Sequence, residues 1–213
     1  MADYTLILGN KNYSSWSMRG WLTLTEAGRQ FDEVVVPLFR DDTAARLANL
    51  SHAPPLVPVL LHGERTIWDS YAILEYINEQ HPQAELWPAD PGARAIARSI
   101  CAEMHSGFLA LRGEVPMNIR ARRGRELSDQ AWRDIRRIET IWSDCLGASG
   151  GPFLFGQFSA ADIYFAPVVT RFRTIEYQNG DLQGYCDRIL NRPSVKSWCK
   201  SGQDEPWVIE ASA

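Results

Sequence analysis

The 213 residues carry 45% apolar and 23% charged side chains and a formal net charge of −4, a balance ordinary for a globular chain and unlike a disordered one. The surplus of acid argues against a nucleic-acid partner, because phosphate binding relies on an excess of lysine and arginine. No stretch approaches the roughly 18 uninterrupted apolar residues of a membrane span, and the opening "MADYTLILGN" lacks a basic segment followed by a long apolar one, so a cytoplasmic protein without a membrane partner is expected.

In chain order, residues 4–9 alternate and predict a strand, 16–27 predict a helix stopped by Gly28, and 31–37 ("FDEVVVP") predict a second strand, together a βαβ unit. Between strand and helix lies "NKNYSSWSMRG", whose serines suit the first turn of a helix because a hydroxyl accepts a free backbone N–H there. A short helix over 43–50 and the turn-rich "SHAPPL" follow, then "VPVLL" and "RTIW" flanking "HGE", a predicted hairpin. Pro58 has no N–H to donate to a sheet. It calls for an edge position or a cis Val57–Pro58 bond, and the hairpin context favours the latter. Residues 70–80 place Ile73, Leu74 and Ile77 on one helical face, with Asp69 and Ser70 suited to cap it.

"HPQAELWPADPG" then sets three prolines and a glycine within twelve residues, the best boundary in the chain. Helices are predicted over 93–111, 128–146, 160–172, 184–191 and 194–202, and no strand after residue 92. The expected fold class is therefore an α/β domain over 1–80, a linker over 81–92 and an all-helical domain over 93–213. Ser159 and Asp162 have the spacing of a structural capping box. Cys101, Cys145, Cys186 and Cys199 form no C-x-x-C, and His52, His62, His81 and His105 no ligand spacing, so neither a redox pair nor a metal is expected. The basic cluster Arg120, Arg122, Arg123 and Arg125 reads as a solvated loop and helix end rather than a steering patch for anions.

The element order strand–helix–strand–helix–strand–strand–helix, with "VP" opening the third strand and "DSYAILEYI" the last helix, resembles the thioredoxin-like domain of the cytosolic glutathione S-transferases. "LWPADPGARA" resembles that family's interdomain linker, "FGQFSAADIYFAPVVTRF" its buried helix with N-capping box, and "RPSVKSW" its last conserved helix. The resemblance covers essentially the whole chain. It implies a hydroxyl facing the sulfur of bound glutathione. In the serine-type classes (tau, zeta, theta-like) that residue lies five before an arginine, which makes Ser14, five before Arg19, the first choice and Ser15 the second.

The resemblance further implies Asp69 and Ser70 on the γ-glutamyl group and the Val57 backbone beside Pro58 on the cysteinyl amide; Met104 and Phe108, four apart on one helix face, read as core side chains that also wall, with Trp16, a second, hydrophobic electrophile. Tyr13 is a candidate lining residue, and His105 reads as a surface or interdomain histidine. Leu56 stands where many relatives place a cation or glutamine, leaving His52, Arg40 or Arg46 for the glycyl carboxylate. The activity implied is a homodimeric glutathione transferase with glutathione as co-substrate, in which the serine donates to sulfur. A cysteine-like thiol with a pKa near 8.5 is only a few per cent ionised at neutral pH, and lowering it by ~2 units takes about 2.7 kcal/mol. Two alternatives stand beside it. A zeta-like isomerase of maleyl substrates fits the paired serines, though Trp16 replaces the cysteine expected there. A non-catalytic ligand-binding module would accommodate Leu56 and Asp69.

Overall fold

The computed structural model describes residues 3–124 and 126–209; Arg125 of the basic cluster lies outside them. The first part runs β1 (Tyr4–Leu8), α1 (Ser15–Glu26), β2 (Phe31–Val35), α2 (Thr43–Leu50), β3 (Val59–His62), β4 (Arg65–Trp68) and α3 (Ser70–Gln80). The sheet order is β2-β1-β3-β4, with β1 parallel to β2 and antiparallel to β3, and β3 antiparallel to β4. Strand periodicity sorts the two faces. Leu6 and Leu8 join a core with α1 and α3, whereas Ile7 packs with Val36, Leu47 and Val59 beneath α2. Gly28, at φ 68°, turns the chain out of α1, as its position predicts. The Val57–Pro58 bond is cis, and β3 begins one residue later, so Pro58 owes the sheet no donor.

After a 3₁₀ turn at Pro82–Ala84 come α4 (Pro91–Ser106), α5 (Leu109–Glu114), α6 (Asp129–Ser149), α7 (Ala160–Thr174), α8 (Gln183–Asn191) and α9 (Pro193–Asp204). The expected single helix over 93–111 is two. Gly107 caps α4 with its N–H on the Glu103 carbonyl, and Phe108 adopts a left-handed φ of 56° that breaks the helix before α5. The turn redirects the chain, and α5 runs along one side of the cleft described below. Beyond residue 92 the only extended pairings among the described residues are isolated bridges at Phe153–Gly156 and Phe155–Gln157.

The principal core crosses from one part into the other. Met18 and Leu22 of α1 belong to the same buried cluster as Tyr164 and Phe165 of α7 and Trp198 of α9. At the start of α7 the Asp162 carboxylate accepts the Ser159 N–H at 2.9 Å and the Ser159 hydroxyl at 3.1 Å, and it also accepts Leu154 N–H and the Tyr185 hydroxyl. The capping role expected of this pair is the one it takes. Within the basic cluster Arg122 is exposed as expected, and Arg120 differs. Arg120 is a strap rather than a solvated side chain, its guanidinium donating to the carbonyls of Glu205 and Trp207.

Candidate functional site

The loop before α1 is held from beneath. Asn10 accepts Tyr13 and Ser14 N–H through its carbonyl and Leu38 N–H through its side chain. Lys11 and Asn12 N–H donate to the Glu205 carboxylate, Asn12 pairs with Asn118, and Lys11 forms an ion pair with Glu33. "NKN" is thus scaffolding that presents the two serines rather than chemistry.

Ser14 is the N-cap of α1. Its Oγ accepts Ser17 N–H at 3.2 Å and donates at 2.8 Å to Ser17 Oγ, which also receives Gly9 N–H. Ser15, the first residue of α1, is placed differently. Its Oγ accepts from Arg171 Nη2 of α7 at 3.2 Å, and no described protein group takes its proton. Arg171 is fully buried, held by the carbonyls of Val115 and Pro167. Burial, reinforced by Arg19 and Arg112 nearby, lowers its pKa to about 9, so it is still a cation at neutral pH.

Ser14, Ser15 and Arg171 open onto a cleft of about 610 Å³. Its other walls are Leu38, Phe39 and Leu47 on one side and Leu109, Arg112 and Met117 on the other. Tyr13 lines it as well. A smaller cleft of about 300 Å³ adjoins it and shares Trp16, Leu56 and Val57; its remaining walls include Pro58, Asp69, Ser70 and His105. No described hydrogen bond engages the Val57 backbone, so its N–H and C=O are available to an extended ligand.

Asp69 Oδ1 caps α3 through Tyr71 and Ala72 N–H, and Oδ2 lies 3.2 Å from His105 Nε2 of α4. Asp69 holds a positive φ of 72°, uncommon for a residue with a side chain. The Ser70 hydroxyl is 3.2 Å from the Tyr164 phenol, whose own ionisation burial drives far up. Trp16 bridges the two clefts, with the Arg19 and Arg112 guanidiniums 4.7 and 4.6 Å from its ring and His105 at 5.0 Å.

Of the expected site residues, the structure brings together Ser14, Ser15, Trp16, Val57, Pro58, Asp69 and Ser70. Met104 and Phe108 are elsewhere. Both are packed in the main core, and the facing wall comes from α5 and the segment after it. Arg40, Arg46 and His52 are exposed and line neither cleft. The residues missed are Arg112 and Arg171. A signal for Arg171 is present: it follows Tyr164 and Val168 at helical spacing in a mostly apolar helix, which puts a cation on the buried face. Among the described residues no group of three or more His, Cys, Asp or Glu side chains is arranged to hold a metal ion.

Comparison with known proteins follows the same division. The family description "Glutathione S-transferase, N-terminal domain" matches residues 13–80, and "Glutathione S-transferase, C-terminal domain" matches residues 121–201. A maleylacetoacetate isomerase of Rattus norvegicus is 30% identical over 161 residues, 73% of each chain. The chain belongs to the glutathione S-transferase family. Protein IN2-1 of Zea mays is 25% identical over 201 residues, 94% of this chain and 76% of that one. A solved glutathione transferase homologue from Burkholderia, with bound glutathione, superposes with a TM-score of 0.72 at 25% identity, covering 95% of this chain and 99% of the other. A theta-class enzyme from Xanthomonas axonopodis pv. citri shares the fold at a TM-score of 0.69 and 23% identity, covering 93% and 98%. As a transferase-family chain, this one has the two-part architecture of its relatives, with the paired clefts lying where the parts meet.

Proposed function

We propose that this transferase binds glutathione across both clefts and activates its thiol with Ser15. The γ-glutamyl end lies in the smaller cleft, its ammonium on Asp69 and its carboxylate at the N-terminus of α3, where the Ser70 N–H, which the Asp69 cap leaves to a ligand, and the Ser70 hydroxyl receive an anion. The cysteinyl amide pairs with the Val57 backbone as an added strand. The sulfur lies at the mouth of α1 in the larger cleft. There the Ser15 hydroxyl donates to it, while the electrophile approaches from the α5 side.

The observation that carries this assignment is the 3.2 Å contact from Arg171 Nη2 to Ser15 Oγ. With its oxygen held by a buried cation, Ser15 keeps its proton for a ligand and becomes a stronger donor, whereas the Ser14 proton is directed inward to Ser17. The hydroxyl, the guanidinium behind it and the positive end of α1 all favour S⁻ over SH. The serine does not attack. It stabilises the anion that does, and holding both reactants in one cleft supplies much of the rate.

Parallel Ser14→Ala and Ser15→Ala variants, assayed for aryl-halide conjugation, test this. Ser15→Ala should lose about 10²-fold in kcat with glutathione KM little changed, consistent with loss of about 2.7 kcal/mol of anion stabilisation. Loss confined to Ser14→Ala would overturn the assignment. A second reading, glutathione-dependent isomerisation of a maleyl-type substrate, is favoured by the relative of that name and opposed by Trp16 beside the paired serines. Comparing maleylacetone with an aryl halide as substrate separates the two. Like its family, the protein is expected to act as a homodimer, which sedimentation velocity checks.

A further inference from the structure

The larger cleft has an electrostatic asymmetry that a purely apolar electrophile does not explain. Two guanidiniums, Arg112 and Arg171, line it, and among the described residues no acidic side chain does. Neither arginine, nor the adjacent Arg19, forms an ion pair with any described carboxylate. A buried cation such as Arg171, and to a lesser degree a half-buried one such as Arg112, is costly to hold without a counter-charge unless a ligand supplies one. Arg171 faces Ser15 and hence the thiolate. Arg112 is on α5 and lines the larger cleft, its guanidinium 4.6 Å from the Trp16 ring. Its Nη1 is fixed by the carbonyls of His105 and Gly107, and its Nε and Nη2 have no described hydrogen-bond partner. One guanidinium edge is therefore anchored while the other is available at the wall where the second substrate enters. The rim of the cleft is apolar, with Leu109, Leu56 and Phe39 70%, 69% and 81% exposed.

Resting on the transferase reading above, we propose that the second substrate is an anionic electrophile, with an apolar or aryl body against the rim and a carboxylate received by Arg112. A planar carboxylate matches the guanidinium edge, and its charge completes the cleft once the thiolate has taken the place beside Arg171. In a substitution the sulfur–carbon bond forms as the carbon–halogen bond breaks, the halide leaves with the electron pair, and the Ser15 proton stays on its oxygen. The carboxylate takes no part in the bond change. It holds the acceptor carbon in line with the sulfur, which makes Arg112 a specificity-determining residue.

The test compares 4-chloro-3-nitrobenzoate with its uncharged amide, each catalysed kcat/KM divided by the rate of the same compound with glutathione alone. Isothermal titration of the two corresponding S-aryl glutathione conjugates gives a parallel ratio that needs no turnover. The wild type should favour the carboxylate by at least tenfold in both ratios. Arg112→Gln should bring both towards one, and Arg112→Lys should restore part of the preference. A wild-type preference absent or reversed while the amide turns over overturns the inference and leaves the transferase reading intact. So does Arg112→Gln raising only the KM for glutathione, which would assign Arg112 to the glycyl carboxylate. Carboxylate-selective conjugate binding without turnover of either compound would sink the transferase reading and leave the anion subsite standing.

Discussion

Two adjacent serines, chemically alike and both lining the cleft, differ in what their oxygens already do. Ser14 caps α1 and hands its proton to Ser17; Ser15 receives a guanidinium N–H and keeps its proton. Spacing from Arg19 marks Ser14, but spacing carries no information about an arginine 156 positions away in sequence that comes from α7. Asp69 illustrates the same limit. Its capping role was legible, whereas its approach to His105 depends on how α4 lies against the first domain. Asp69→Asn keeps an acceptor for the α3 cap and removes the charge. It should raise the glutathione KM by about tenfold, the worth of one charge-assisted hydrogen bond, with circular dichroism unchanged.

At the level of elements, composition and period located nearly every strand and helix, because apolar residues at period 2 or 3.6 report burial directly. The break between α4 and α5 escaped, since "MHSGFLAL" continues a helical pattern through a glycine that helices tolerate. The reason for the glycine is steric: a Cβ on Gly107 would lie 2.7 Å from the Glu103 carbonyl oxygen. Gly107→Ala should therefore destabilise the protein by about 1–3 kcal/mol, read by thermal denaturation, and it should disturb Arg112, which donates to the Gly107 carbonyl.

The start of α7 has its own signature in pH. Burial raises the Asp162 carboxyl to about 6 against four hydrogen bonds that oppose the shift. A carboxyl that holds its proton more tightly folded than unfolded favours the fold below about pH 4. That contribution is lost as pH rises towards 6, where the native group ionises. Asp162→Asn should flatten the stability profile between those values in denaturant titrations, and an unchanged slope would remove Asp162 as its source.

Across the whole molecule, the sequence divides at a proline-rich linker but the packing does not. Met18 and Leu22 share a buried cluster with Tyr164 and Trp198. The Arg171–Ser15 contact crosses the same boundary, and Glu205 near the end of the described chain accepts two N–H groups from the loop that carries the serines. Calorimetry should therefore show one unfolding transition rather than two. The candidate site is assembled across this boundary as well, which is why the first-domain residues that line its clefts could be listed from sequence while the wall facing them could not.

The most direct test of the account is the thiolate absorbance of glutathione bound to the wild type, Ser14→Ala and Ser15→Ala, titrated with pH. In the wild type and Ser14→Ala the bound thiol should lie ~2 units below its ordinary value of about 8.5, and in Ser15→Ala it should return towards that value. A thiol that stays depressed without the Ser15 hydroxyl, or was never depressed in the wild type, would contradict it.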